Sequence, residues 1–300
     1  MPYAPLIPAR KRIAIIRNPV SGRSTGIFER TLSELEALKV DYQVMCTQRA
    51  GEGRELARRV AGEPGWDAVA AAGGDGTCNE VASGILGQNM PMGIIPTGTV
   101  NVLAAEIGQT PEPQSIAHTL AHGVVRPICI GKINDRVFML MVGVGWDARV
   151  VAAVSSRLKS LLGRWAYAVQ AVRLLWDTPS TPLQVGVGGN LEEGTWAIVC
   201  NAGYYGGRYR IAPRARLQDP AFQVLIFNSH GPWERMRDLL ALRLGRPGLF
   251  KSVRSFMADR VHIAGSPSEC VQIDGDLSGN LPAEISIASS RLNLILPPGA

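Results

Sequence analysis

The sequence predicts two fold classes in succession: a doubly wound, mostly parallel α/β sheet, then an antiparallel β domain. Short apolar runs alternate with helical periodicity over residues 1–125, which is typical of strands joined by helical crossovers. From Val124 onward, strand-like pairs are joined by short polar turns. With 46% hydrophobic and 19% charged residues, the 300-residue chain can form one large domain or two ordinary ones.

In the N-terminal half, apolar runs of strand length predict strands at 13–16, 42–46, 68–72 and 92–95. Apolar residues at helical spacing predict helices around 28–38, 54–60, 80–86, 102–107 and 114–122. Because strands and helices alternate, we expect most strands of this sheet to be parallel.

In the C-terminal half, residues 128–133 and 137–144 predict a hairpin around Asn134-Asp135. A helix is expected within 148–176, and further strands at 183–187, 196–201, 222–227, 260–264 and 270–274. We expect a first domain over 1–124, joined by a returning segment at about 288–300, and a second domain over 125–287. Because ligands often bind between domains, a cleft between the halves is expected.

Charge and cysteine content narrow the class of protein. The net charge of +6 favours anionic partners such as nucleotides, nucleic acid or acidic lipids, without choosing among them. Five widely spaced cysteines without a Cys-x-x-Cys pair indicate reduced thiols. The longest apolar runs reach about half of the roughly 20 residues that a membrane-spanning helix needs. Basic residues 10–12 lead directly into a strand, not into a signal-peptide core. We expect a cytoplasmic protein.

The turn 73–77, Gly-Gly-Asp-Gly-Thr, lies between a predicted strand and a helix that begins near Thr77. Its glycines, Gly73, Gly74 and Gly76, can adopt positive φ and let backbone N–H groups approach a phosphate. The start of the helix adds free N–H groups and the positive end of a dipole. The turn therefore predicts an anion-binding loop.

Two side-chain patterns accompany this loop. An acid would repel phosphate, so Asp75 is expected to hold Mg²⁺, to steer a substrate hydroxyl or to take its proton. Thr77 and Glu80 also match a capping box, in which the two side chains cap one helix reciprocally. The functional and the capping interpretations are compatible, since a capped helix start can still bind phosphate.

A second loop, Pro-Thr-Gly-Thr-Val-Asn at 96–101, again follows a strand and precedes a helix, and Asn-Pro-Val-Ser-Gly at 18–22 follows the first strand. In open α/β sheets, ligands gather outside the carboxyl ends of the strands. The sequence therefore predicts three polar loops at one edge of one sheet. Arg17 and Arg23 flank the first of them and are candidates for phosphate contact.

Several nucleotide and metal motifs are absent from the sequence. It contains no Gly-x-x-x-x-Gly-Lys-[Ser/Thr] loop, no complete dinucleotide fingerprint and no protein-kinase signature set. His118 and His122 are four residues apart but lack the glutamate of a zinc hydrolase, so we interpret them as ordinary helix residues.

Three segments resemble the diacylglycerol kinase catalytic-domain family: Ile-Ala-Ile-Ile-Arg-Asn-Pro-Val-Ser-Gly at 13–22, Gly-Gly-Asp-Gly-Thr-Cys-Asn-Glu-Val at 73–81 and Ile-Ile-Pro-Thr-Gly-Thr-Val-Asn-Val-Leu-Ala at 94–104. This family includes bacterial lipid kinases and the sphingosine and ceramide kinases, and it is related in fold to NAD kinases. The resemblance extends into the C-terminal half. It implies an NAD-kinase-like α/β domain that binds ATP, followed by a C-terminal antiparallel β-sandwich.

The resemblance and the loops together give the expected site residues. Nucleotide or phosphate contacts are expected at Asn18, Ser21, Gly73, Gly74, Gly76, Thr77, Asn79, Glu80, Thr97, Gly98, Thr99 and Asn101. Ile-Asp-Gly-Asp at 273–276 is similar to the family's Asp-Gly-Glu motif, which makes Asp274 the candidate general base. Asp75 is expected to share that role or to hold the metal.

Three positions depart from the family's pattern. Asp219 precedes Pro220 in a segment that the resemblance associates with a regulatory magnesium site, where the family often has Asp-Gly. Asp219 and Asp276 are the metal ligands that we expect, although Asp276 replaces a longer Glu. Val102 stands where many members carry Asp. These departures bear on the substrate more than on phosphoryl transfer.

The resemblance implies an ATP-dependent and Mg²⁺-dependent kinase that phosphorylates a hydroxyl of diacylglycerol or a similar lipid. One alternative is an NAD-kinase-like enzyme, which the Asn-Pro-x-Ser-Gly motif disfavours. The other is a non-catalytic nucleotide-binding regulator. We expect no nucleic-acid partner, and the sequence carries no prediction of oligomeric state. Peripheral contact with anionic lipid is expected either at 157–164, which includes Arg157, Lys159 and Arg164, or at 235–246.

Overall fold

The computed structural model of the chain describes residues 9–21, 25–155, 163, 165–176, 181–207 and 209–299. The chain divides into two compact units, one of Met1–Ile128 with Ser290–Ala300 and one of Cys129–Ser289. Arg23 and the stretch 157–162 with Arg164 lie outside the described residues. No helix among the described residues is both long and apolar enough to cross a membrane.

The first unit contains a parallel sheet with helices between its strands. Its strands are β1 (Arg12–Arg17), β2 (Asp41–Cys46), β3 (Ala68–Gly73) and β4 (Met92–Pro96). Its helices are α1 (Thr25–Ala37), α2 (Glu52–Gly62), α3 (Asp75–Ile85), α4 (Val102–Glu106) and α5 (Pro113–His122). The strands and helices that the sequence predicts for this half are confirmed.

The strand order of this sheet, β2-β1-β3-β4, brings the functional loops to one edge. All three pairings are parallel, so the carboxyl ends of β1, β3 and β4 lie side by side. The strands β1, β3 and β4 are largely buried and apolar, as expected for a sheet covered by helices on both faces, whereas the edge strand β2 is more exposed. Leu294, near the C-terminus, extends the sheet by pairing in parallel with Met92 of β4.

The second unit is built mostly from antiparallel strands. Its strands, including two that cross the unit boundary, are β5 (Val124–Ile133), β6 (Arg136–Phe138), β7 (Met141–Gly145), β8 (Leu183–Val187), β9 (Asn190–Gly194), β10 (Trp196–Cys200), β11 (Tyr204–Tyr205), β12 (Tyr209–Arg210), β13 (Phe222–Phe227), β14 (Val253–Ala258), β15 (Arg260–Ala264), β16 (Cys270–Ile273), β17 (Asp276–Asn280) and β18 (Ala283–Leu296). Its helices are α6 (Trp146–Ala153), α7 (Trp165–Arg173) and α8 (Pro232–Arg243).

Most of these strands form two sheets that enclose one core, and β11 and β12 pair separately. One sheet has the order β14-β13-β10-β7-β16-β17, and the other contains β18-β15-β8-β9. Apolar side chains of both sheets, such as Val144, Val185 and Ile226, belong to a single buried cluster. The predicted combination of a doubly wound α/β sheet with a β-sandwich is therefore confirmed.

The segment 137–144 is not the single strand that the sequence predicts. The strand β6 ends at Phe138 and pairs with β5, whereas β7 begins at Met141 and lies between β10 and β16 in the other sheet. The chain changes sheets at residues 139–140, where backbone N–H groups are satisfied by the Asp274 side chain instead of by a strand. A continuous apolar run does not reveal this crossing, because the segment is buried throughout.

Candidate phosphate-binding loops and a buried carboxylate network

Three loops of the first unit converge at the carboxyl edge of its sheet. The backbone N–H of Asn18, after β1, donates to the carbonyl oxygen of Ala72 at 3.0 Å. The N–H groups of Thr97 and Gly98, after β4, both donate to the carbonyl oxygen of Gly73, at 3.1 and 3.2 Å. Backbone hydrogen bonds therefore tie the loops after β1 and β4 to the end of β3, as the sequence predicts.

The glycines of these loops allow the backbone of one loop to approach that of the other. Gly73 lies in β3, Gly74 has φ −93°, and Gly76 lies in the first turn of α3, so the expected positive φ is wrong for this turn. A Cβ on Gly74 would lie 3.5 Å from both Gly98 Cα and Ser21 Oγ. A Cβ on Gly98 would lie 3.0 Å from Gly74 N and would overlap Gly74 Cα. The absence of a Cβ at Gly98 therefore allows the two loops to pack backbone against backbone at Gly74.

Asn101 closes the loop after β4. Its backbone is left-handed, with φ 52°, and its Nδ2 donates to the carbonyl oxygen of Gly98 at 2.8 Å. Its Oδ1 is buried and has no hydrogen-bond partner among the described residues. A buried acceptor of this kind fits a ligand that offers a donor or a cation, because an unpaired buried oxygen is otherwise unfavourable.

Asp75 links the two glycine loops. Its Oδ2 accepts from Val102 N and its Oδ1 from Leu103 N, both at 2.9 Å, so the carboxylate satisfies the first turn of α4. This contact shows how an acid can belong to an anion-binding loop, because its negative charge is stabilised by two backbone donors. Asp75 therefore holds the second loop in position through α4.

The capping box expected within α3 is not formed. The helix begins at Asp75, two residues before Thr77, and no side chain caps its start. Glu80 instead accepts from Gly51 N at 2.8 Å and from Gly53 N at 3.0 Å, at the beginning of α2. Thr77 is buried, and its side chain fills the space where Gly73 lacks a Cβ. The N-cap residue of α3, Gly74, contributes no side-chain cap, which is compatible with an anion site.

The remaining predicted residues lie around the same edge. Asn18 turns its Oδ1 toward Val20 N at 3.1 Å, and Asn79 accepts from Ser83 Oγ at 3.3 Å within α3. Thr97 is buried, whereas Thr99 is exposed at the tip of its loop. All the predicted nucleotide contacts lie in the first unit, whereas Asp274, Asp276 and Asp219 lie in the second.

In the second unit, Asp274 occupies the turn between β16 and β17. Its backbone is left-handed, with φ 50°. Its Oδ2 accepts from Met139 N, and its Oδ1 accepts from Leu140 N and Met141 N, each at 2.9 Å. Three amide donors stabilise the charged carboxylate and fix its orientation. The side chain therefore holds the point where the chain crosses from one sheet to the other.

A buried polar network adjoins this turn, and the sequence analysis missed it. The Asp147 carboxylate accepts from the Tyr205 hydroxyl and, at 2.9 Å, from Gln272 Nε2. Gln272 Oε1 in turn accepts from Gly275 N at 2.8 Å. A Cβ on Gly143 would overlap Asp147 Oδ2, so only glycine fits beside this carboxylate. The network connects α6 and the β11 strand to the residue that follows Asp274.

Burial dominates the electrostatics of this network. Desolvation raises the pKa of Asp147, and the hydrogen bonds from Tyr205 and Gln272 oppose that rise. Desolvation, and after it the charge of Asp147, raises the pKa of Tyr205 well above its ordinary value. One signal in the sequence could have revealed the network: Asp147 is the only acidic residue between Asp135 and Asp177.

The expected metal ligands are exposed. Asp219 and Asp276 both lie at the surface of the second unit. No group of three or more His, Cys, Asp or Glu side chains in the described part of the chain could hold a metal ion. Each of the two carboxylates offers oxygen ligands of the kind that Mg²⁺ prefers.

The chain matches two family models. Residues 12–133 match the diacylglycerol kinase catalytic domain, and residues 140–296 match the YegS C-terminal NAD kinase beta sandwich-like domain. A diacylglycerol kinase of Bacillus subtilis (strain 168) is 30% identical over 296 residues, which cover 96% of this chain and 97% of that protein. The chain belongs to the diacylglycerol kinase catalytic-domain family.

Further relatives are consistent with this family. A diacylglycerol kinase of Staphylococcus aureus (strain JH9) is 28% identical over 297 residues, covering 96% of this chain and 93% of that protein. The crystal structure of a diacylglycerol kinase from Bacillus anthracis strain Sterne has a TM-score of 0.79 and 22% sequence identity, and the match covers 97% of this chain and 98% of that chain. The structural likeness shows a shared fold, and membership of a kinase family supports a phosphotransferase.

Proposed function

We propose that the protein is an ATP-dependent lipid kinase that transfers the γ-phosphoryl group to a hydroxyl of diacylglycerol or a similar lipid. The observation that carries this proposal is the close approach of Gly74 and Gly98, which brings the loop after β4 beside the start of α3. Phosphoryl transfer depends mainly on positioning and on charge neutralisation, and these loops offer both.

In this proposal the first unit binds the nucleotide. Backbone N–H groups at the start of α3 receive the phosphates. Ser21, Thr99 and Asn101 add polar side chains, while Asp75 and Glu80 act through the backbone that they hold. ATP supplies the transferred group, and Mg²⁺ neutralises the phosphate charge. Asp276 is proposed as a metal ligand, and Asp219 as a ligand of a regulatory Mg²⁺.

Asp274 is the proposed general base of the second unit. Its three amide bonds fix the orientation of the carboxylate, which a group that accepts a hydroxyl proton needs. The Asp147 network adjoins the same turn through Gln272 and Gly275, so we assign Asp147, Tyr205 and Gln272 as positioning residues. We also propose that the protein is cytoplasmic and meets its acceptor at the inner membrane surface.

The function is tested by incubating the purified protein with γ-labelled ATP and Mg²⁺, and with dioctanoylglycerol, ceramide, sphingosine, NAD or buffer alone. Label in an organic-extractable phospholipid is the expected result. Label in NAD but in no lipid would contradict the lipid-kinase proposal. Nucleotide binding without transfer to any acceptor would instead support a non-catalytic regulator.

The role of Asp274 is tested by Asp274→Asn, with Asp135→Asn as the control at an exposed acid of the same unit. Asp274→Asn is expected to lower kcat by about 100-fold or more, as loss of a general base does, and to leave ATP affinity nearly unchanged. Circular dichroism and thermal unfolding establish that the variant is folded. A folded Asp274→Asn variant with full activity would show that Asp274 is not the base.

A further inference from the structure

The helix α8 presents an apolar stripe to solvent. Trp233, Met236, Leu240 and Leu244 recur every three to four residues along it, and they are 74%, 40%, 51% and 57% exposed. This spacing places them on one face of a helix. Single exposed apolar residues are ordinary in proteins, but a row that includes a tryptophan indicates a binding surface.

The charges around this stripe have one sign. Arg237 and Arg243 are exposed on the helix, and Arg246 and Lys251 are exposed after it. Arg237 lies over the ring of Phe250, 4.8 Å from its centroid, and remains at the surface. The solvent face of α8 therefore combines apolar side chains with cationic ones.

The acids of α8 are less exposed than Arg237 and Arg243. Asp238 is buried and accepts from Ser252 Oγ at 2.6 Å. Glu234 is half-buried and accepts from His230 N at 2.7 Å. Arg235, which the sequence analysis included in the basic stretch, is also buried and donates to the carbonyl oxygen of Leu175 at 2.9 Å.

The bond from Arg235 to Leu175 joins α8 to the end of α7, which has the same surface character. Val172 and Trp176 flank Leu175 and are 56% and 59% exposed. Arg173 is exposed between them, and α7 contains no acidic residue. Tryptophan beside arginine is typical of side chains that lie at the headgroup level of a bilayer.

We propose that the exposed face of α8, together with the end of α7, docks on the surface of a membrane that contains anionic lipid. The apolar stripe enters the headgroup boundary, while the arginines attract the negative headgroups. The inference rests on the surface of these helices alone and would hold for a kinase with any acceptor. A membrane fits this face better than a second copy of the chain, because two such cationic faces would repel each other.

Vesicle flotation tests the surface with phosphatidylcholine vesicles that do or do not contain phosphatidylglycerol. The wild-type protein should float with the anionic vesicles. Trp233→Ser combined with Leu240→Ser should weaken that binding at least about tenfold. Leu191→Ser, at a 66% exposed leucine in β9, is the matched control and should bind like the wild type. Thermal unfolding establishes that each variant is folded.

The charge requirement is tested by Arg243→Gln, which should weaken binding to anionic vesicles about fivefold. Unchanged binding of the Trp233/Leu240 double variant, or equal binding of the wild type to vesicles with and without phosphatidylglycerol, would overturn the proposal. So would a dimer that dissociates in the double variant, as measured by light scattering. Phosphorylation of micellar dioctanoylglycerol, measured in parallel, separates failure of docking from failure of the kinase proposal.

Discussion

The two candidate sites of this protein are built in opposite ways. In the first unit, the site consists of backbone, and its central residues, Gly74 and Gly98, matter because they have no side chain. In the second unit, the site consists of polar side chains: Gln272 bonds to Asp147 and to Gly275 N, and Asp274 accepts from nearby backbone amides. An anion can be bound by amides that any sequence supplies, whereas an oriented carboxylate needs partners from distant parts of the chain.

This difference predicts separable defects. Changes in the glycine loops should raise the Kd for ATP and leave kcat at saturating ATP unchanged. Changes in the network should lower kcat and leave the Kd for ATP unchanged. Variants that move both quantities together would show that the two sites do not act independently.

The largest effect is expected for Gln272→Met, which leaves Gly275 N and Asp147 Oδ2 without this partner. Unpaired buried groups should lower the free energy of unfolding by about 2–4 kcal/mol, measured by urea denaturation. Because the turn that carries Asp274 loses its support, kcat should also fall, with ATP affinity retained.

Gln223→Met is the matched control for that variant. Gln223 is equally buried in the same unit, accepts from Arg214 N at 2.8 Å and donates to Ser255 Oγ at 2.9 Å. It should lose similar stability and keep its kcat. An equal fall of kcat in both variants would mean that Gln272 contributes only to stability.

Gly98→Ala tests the candidate nucleotide site of the first unit. The added methyl would meet Gly74 backbone, which cannot move as a flexible side chain would. Overpacking of this kind costs about 1–3 kcal/mol, so the Kd for ATP should rise about five- to 150-fold in equilibrium binding. Gly62→Ala, at a glycine with open space around it, should leave the Kd unchanged. Unaltered ATP affinity of Gly98→Ala would exclude this contact from the nucleotide site.

Asp75→Asn should have a smaller effect, because asparagine keeps one of the two acceptors for Val102 N and Leu103 N. We expect a loss of about 1–2 kcal/mol in unfolding free energy, with a severalfold rise in the Kd for ATP. Glu80→Gln makes the same chemical change at the start of α2 and is the control for stability alone. A fall of kcat by about 100-fold or more in Asp75→Asn would instead assign it proton transfer or metal binding.

The same contrast explains what could be predicted from the sequence. The glycine loops are contiguous motifs, so the strands, their order along the chain and the loop edge could be predicted from local pattern. The role of the glycines could not be predicted in this way, because Gly98 and Gly74 belong to different loops that meet only in the folded chain. Glu80 likewise matches a local capping box but bonds to Gly51 and Gly53, since a carboxylate binds whichever free amides the fold brings near.

In the second half, the predicted strand bounds were wrong where backbone amides bond to a side chain instead of to a neighbouring strand. The apolar pattern predicts one strand over 137–144, because it contains no information about the three backbone amides that donate to Asp274. Asp147 escaped prediction because its partners, Tyr205 and Gln272, lie 58 and 125 residues away. The short polar strands β9 and β17 also carry no apolar signal, since both lie largely at the surface.

The smallest effect that we expect is a change in how stability depends on pH. Since burial raises the pKa of Asp147 in the folded protein, the unfolded chain loses its proton first, near the ordinary value of 3.8. The associated stability is therefore fully present below that value, falls as the pH rises toward the raised pKa, and is constant above it. Each tenfold difference in proton affinity contributes about 1.4 kcal/mol.

Asp147→Asn removes this slope, whereas Asp135→Asn, at an exposed turn, should retain it. Urea denaturation of the three proteins across mildly acidic pH measures the slopes, and parallel curves for the wild type and Asp147→Asn would show that Asp147 is not held in a proton-retaining site.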